Sequence, residues 1–79
     1  MARVRFDMAV AVGRLLRAAR VDHGIGVAEL ARTLWTSPSS IRATERGEFL
    51  ESSERLKRHA RAVGVSARSL AAIMDASLR

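Results

Sequence analysis

The stretch VAELARTLWTSPSSIRATERG, Val27 to Gly47, decides how this chain folds. Leu30, Ala31 and Leu34 fall at helical spacing, so a short helix opening at Gly26 and ending near Leu34-Trp35 is expected. Thr36-Ser37-Pro38-Ser39 then reads as a new helix start. The Ser37 hydroxyl can cap exposed backbone N–H groups, and proline suits the first helical position, where its missing N–H is not needed. This next helix continues through Ile41 and Glu45 and stops at Gly47. Ala31 is small where the two helices approach, and Leu30, Leu34 and Ile41 can lock their angle. Ser37, Ser39, Ser40 and Arg42 leave a polar, hydrogen-bonding face at the start of the later helix. Those are the requirements of a helix-turn-helix.

Outward from this stretch the chain keeps a helical character, with Ala, Leu, Arg and Glu abundant and a single proline. Upstream, Val12, Leu15, Leu16 and Ala19 form an inward stripe interleaved with Arg14, Arg17 and Arg20. That helix is expected to start at an Asp7 cap and to end at His23-Gly24. Downstream, Ser52 caps a helix carrying Leu56, Ala60 and Val63 and closed by Gly64, and Ser66 caps another with Leu70, Ile73 and Met74 on its apolar side. The expected fold class is all-α, with five short helices around a central helix-turn-helix. Residues 1–79 make a single domain whose core spans about residues 8–76. Residues 1–7, with the alternation Arg3-Val4-Arg5-Phe6, are expected to form a basic N-terminal arm or a short strand.

The 79 residues carry 14 Lys and Arg against 8 Asp and Glu, a formal net charge of +6. Nearly all of the positive charge is arginine, whose guanidinium fork suits paired phosphate oxygens. A genome that favours arginine codons produces the same composition. With no cysteine, the chain has no disulfide framework, thiolate nucleophile or Cys-based zinc site, which fits a reducing cytosol. The longest apolar run, Met8 to Val12, is far short of the ~20 residues of a membrane span. His59, between Leu56 and Val63, is expected in the core, and His23 at the end of the first helix, where a protonated ring favours the helix terminus. Neither has a Cys or Asp neighbour at ligand spacing, so no metal and no cofactor is expected. With no nucleophile–base pair, glycine-rich phosphate loop or paired carboxylates, the chain is not expected to be an enzyme.

Arg20 to Gly24, Val27 to Ala31, Ser37 to Ile41, Glu45-Arg46-Gly47, then Leu56, Ala60, Ala62 to Ser66, and Leu70 follow one another in an order and spacing similar to those of the Xre, or lambda-repressor-like, helix-turn-helix family. The chain resembles that family from about Val12 to Met74. The resemblance implies a five-helix lambda-repressor-like domain and a sequence-specific DNA-binding transcriptional regulator whose third helix enters the major groove. It places Ser37, Pro38, Ser39 and Ser40 at base edges, Arg42 and Ala43 a turn later, and Arg46 near the phosphate backbone. Serine hydroxyls alone specify little, whereas Arg42 suits a bidentate guanine contact, with a phosphate contact or a solvated charge as the alternatives. Arg20 and Glu45 are implied to pair as a structural salt bridge between the first and third helices.

Three positions differ from the family's pattern. Val27 stands where a polar residue usually opens the second helix, Trp35 where the turn glycine stands, and Thr44 where the third helix turns a large apolar residue inward. Trp35 is expected to fold back over the small core. Alternatively Val27, Trp35 and Phe49 form an apolar surface for a partner protein, on a helix-turn-helix scaffold that no longer reads DNA. The resemblance further implies a small cytoplasmic repressor of phage, plasmid or antitoxin type, a homodimer on a palindromic operator of double-stranded DNA. Leu70, Ile73, Met74 and Leu78 exceed what one small core needs and are the expected dimer contact, with the Val4–Phe6 segment as the alternative.

Overall fold

Three serines start helices, and four left-handed residues end them. In the computed structural model, which describes the backbone of residues 2–78 and the side chains of residues 7–78, the elements are α1 (Ala2–Asp22), α2 (Val27–Thr33), α3 (Pro38–Glu45), α4 (Ser53–Ala62) and α5 (Ala67–Ala76). No strand occurs among the described residues. Ser37, Ser52 and Ser66 accept hydrogen bonds from the backbone N–H groups of Ser40, Arg55 and Ser69, satisfying donors that the first turn of a helix leaves open. Gly24, Trp35, Gly47 and Gly64 adopt φ of 67°, 55°, 75° and 79°. At each, the N–H bonds the carbonyl three residues back and the next N–H bonds the carbonyl five back, as in Trp35 to Arg32 and Thr36 to Ala31. Four helices therefore close in the same Schellman turn, three through glycine and one through tryptophan.

The N-terminus differs from expectation. α1 begins at Ala2, so the backbone expected as an arm or strand is helical, and Asp7 lies inside the helix rather than at its cap. A four-residue alternation has no partner strand to complete a ladder, whereas a helix satisfies its backbone groups internally. The side chains of Arg3, Val4, Arg5 and Phe6 lie outside the described residues.

At 21 residues, α1 is about 31 Å long and forms the spine along which α3 and α5 pack; α2 lies on α3, and α4 on α5. Met8, Val12 and Leu16, one helical stripe, meet Leu30, Ala31, Ile41, Leu56, Ala60, Val63, Val65 and Leu70 in a single core. The long α1 also absorbs the apolar side of α5. Leu70 is buried and Ile73 and Met74 pack against the core, so of the four residues expected as a dimer surface only Leu78 stays exposed.

The approach of α1 to the end of α3 is closer than side chains allow. A Cβ on Gly13 would lie 2.5 Å from the Thr44 carbonyl oxygen and 2.7 Å from that of Glu45. From the other side, a Cβ on Gly47 would lie 2.6 Å from Val10 Cα. Two glycines, one on each element, let the backbones touch. His23 ties the far end of α1 to α4. Its Nδ1 donates to the Ala19 carbonyl at 2.9 Å, and its ring covers Gly64, where a Cβ would meet Nε2 at 2.7 Å. His59 is fully buried, as expected, with Nδ1 2.9 Å from a Glu51 carboxylate oxygen. No described helix is long and apolar enough to cross a membrane.

Candidate nucleic-acid interface

The direction of α3 is fixed from both of its ends. At its start, the Ser37 oxygen accepts from Ser40 N–H at 3.2 Å while the hydroxyl engages Ser39 and Ser40. Pro38 holds the first helical φ. At its end, Glu45 is gripped by Arg20. Nε donates to one carboxylate oxygen at 2.6 Å and an Nη to the other at 3.1 Å, while the second Nη donates to the Ile25 carbonyl at 2.8 Å. The side chains are only 12% and 4% exposed. Hydrogen bonding to Glu45 raises the Arg20 pKa, burial opposes the rise, and Coulombic attraction to the same carboxylate adds to it. The α1–α3 pair is thus a two-pronged, nearly dry contact beside the Gly13–Gly47 seam.

Of the residues assigned to DNA, Ser37, Pro38, Ser39, Arg42 and Arg46 are exposed, and Ser40 and Ala43 are half-buried. Pro38, Arg42 and Arg46 stand four apart, which puts them on one stripe of the helix and its C-terminal cap. Arg42 makes no side-chain hydrogen bond or ion pair to any described residue, so its guanidinium fork is open. The Ser37 oxygen is committed to the cap, leaving Ser39 as the more available hydroxyl. Arg46 is engaged by Glu48, to which its Nε donates. Both are more than half exposed, so the pair is weak and a phosphate can compete for the arginine. The sequence reading missed Glu48, because two residues of separation bring side chains together only across the left-handed turn at Gly47.

Thr44 is buried, as its place on the inner face of α3 demands. Val27 is half-buried against the core, whereas Phe49 is exposed. Trp35 is 94% exposed and does not fold back over the core as expected. The left-handed turn points its side chain outward, at a cost of roughly 1–2 kcal/mol for a residue with a Cβ. Glycine would stand there without strain.

Five helices among the described residues, a central pair joined by one tight turn and a basic, hydroxyl-bearing face on the later helix of that pair define a helix-turn-helix domain. No protein-family model matches the sequence, and no curated protein does. Two solved structures of the clp gene regulator ClgR from Corynebacterium glutamicum share the architecture, each at 32% identity and a TM-score of 0.78. One alignment covers 90% of this chain and 76% of that chain, the other 91% and 92%. The chain belongs to the family of ClgR.

Proposed function

We propose that the protein is a sequence-specific, double-stranded DNA-binding transcriptional regulator of the lambda-repressor-like kind. In this reading α3 enters the major groove, Arg42 contacts guanine, Arg46 contacts phosphate, and Pro38, Ser39, Ser40 and Ala43 line the base edges with Ser37 at the helix cap. The observation that carries it is the open guanidinium of Arg42 on the exposed stripe of α3, set in a rigid pair of helices. The net charge of +6 and membership of a gene regulator's family support it. The family resemblance adds a homodimer on a palindromic operator, with α3 helices entering grooves about 34 Å apart, and repression by occupancy. Of the rival surface for a partner protein, Trp35 and Phe49 are exposed and Val27 is half-buried against the core.

Selection of bound sequences from a random duplex pool tests this directly, and an inverted repeat is expected. Against the selected duplex, Arg42→Ala should weaken binding about tenfold and relax preference at one base pair. Arg46→Ala should weaken binding to all sequences alike and reduce the salt slope by about 1. Neither should move the melting temperature appreciably, because both side chains are exposed. Binding that is indifferent to salt and to both substitutions would refute the assignment. A gain is expected from Glu48→Gln. Removing the carboxylate releases Arg46 and takes a negative charge from the phosphate side, tightening binding about threefold. That gain should vanish in an Arg46→Ala background; its persistence there would mean that Glu48 acts by another route.

A further inference from the structure

Trp35 is the only tryptophan and the only non-glycine residue with positive φ among those described. The three sibling turns at Gly24, Gly47 and Gly64 close in the same hydrogen-bond pattern with glycine. Folding thus gains nothing from an indole here: the turn strains it, and the ring covers no core. Residues held in unfavourable backbone regions concentrate where function requires them. Trp35 stands two residues before Ser37, the cap of α3, on the segment that leads this helix toward its target. Its exposed chain neighbours are Arg32, Thr33, Ser37, Pro38 and Ser39, which bring a guanidinium and three hydroxyls around a single proline ring. A protein-binding anchor is centred in a patch that water leaves; these groups are the company of a phosphate-facing surface.

We propose that Trp35 is a DNA-contacting residue. Its indole lies against the sugar–phosphate backbone beside the groove that α3 enters, with the ring on deoxyribose and Nε1–H donating to a phosphate oxygen. The contact holds the register of a reading helix whose base-directed groups are few. This assignment rests on the DNA-binding reading above and extends it to a residue outside the recognition helix.

The single tryptophan makes the test direct. A fluorescein-labelled, mixed-sequence duplex of roughly 30 base pairs, long enough for two half-sites a helical turn apart, is titrated at low salt. Label anisotropy and Trp35 emission are followed together. Emission is expected to change in step with anisotropy. Trp35→Gly should bind about tenfold more weakly, on the scale of an aromatic stacking contact, while melting higher by a few degrees because the turn is relieved of strain. A merely structural tryptophan would move stability and affinity in the same direction. Anisotropy that saturates with unchanged emission overturns the Trp35 assignment and leaves the DNA reading standing. No anisotropy change overturns both. An emission shift that follows protein concentration without DNA assigns the indole to self-association and also overturns it. Were Trp35→Gly not to fold, the wild-type titration would still decide.

Discussion

Replacing Gly13 with alanine should lower the melting temperature by about 10 °C, although alanine is the better helix former. Helix propensity alone favours the substitution by about 1 kcal/mol at a mid-helix site. Against it stands the new Cβ, 2.5 Å from the Thr44 carbonyl oxygen and 2.7 Å from the Glu45 carbonyl oxygen. Both neighbours are backbone atoms of α3, so no rotamer change can relieve the clash, and α1 and α3 must separate. Overpacking of this kind costs about 3 kcal/mol at the upper end of its usual range. The net loss is then about 2 kcal/mol, which in a domain of this size corresponds to about 8–16 °C. Gly47→Ala meets the same seam from the other side, with the further strain of a left-handed φ of 75°. Thermal melts followed by circular dichroism decide the matter. A melting temperature that is unchanged or raised would show propensity winning and the seam looser than the distances indicate.

Why Gly13 escaped the sequence reading while the helix ends did not is a matter of range. Caps are local: Ser37, Ser52 and Ser66 bond to N–H groups three residues on, and Gly24, Gly47 and Gly64 end helices through bonds within six residues. Such signals lie inside a short window and could be placed before any fold was known. The inward stripe of Val12 and Leu16 and the lock of Leu30, Ala31 and Ile41 were legible for the same reason, since periodicity marks the buried side of a helix. Gly13 is read only against Thr44 and Glu45, some thirty residues away. At the interface, the exposure of Pro38, Ser39, Arg42 and Arg46 follows from their helical positions and was foreseeable. The outward indole of Trp35 was not, because its direction is set by the left-handed turn and not by periodicity. The start of α1 was misplaced for the opposite reason: Asp7 is a good cap in isolation, but the preceding residues also join the helix.

Arg20→Ala should be strongly destabilising, and more damaging than Glu45→Ala. The Glu45 side chain is 4% exposed and that of Arg20 12%. Deleting Arg20 strands a carboxylate that cannot reach water without dismantling the α1–α3 contact, and it also leaves the Ile25 carbonyl without its 2.8 Å donor. Breaking a buried pair this way costs about 3–5 kcal/mol, a large share of the roughly 10 kcal/mol that a domain of this size can have in total. Deleting Glu45 instead leaves a long, flexible side chain whose guanidinium either keeps its bond to the Ile25 carbonyl or turns outward to water, so about 2 kcal/mol is expected. Arg20→Lys should rescue little, because an ammonium cannot span both carboxylate oxygens and the carbonyl together. The double variant Arg20→Met with Glu45→Leu should regain most of the stability, since replacing both charges with apolar groups leaves neither one stranded. Arg20 has a raised pKa when folded. Its contribution is therefore constant through neutrality and falls on the alkaline side only when strong alkali takes the guanidinium proton. Urea unfolding of the four variants measures the ranking. Equal losses for Arg20→Ala and Glu45→Ala, or a double variant no better than either, would mean that the pair is not the buried clamp that orients α3.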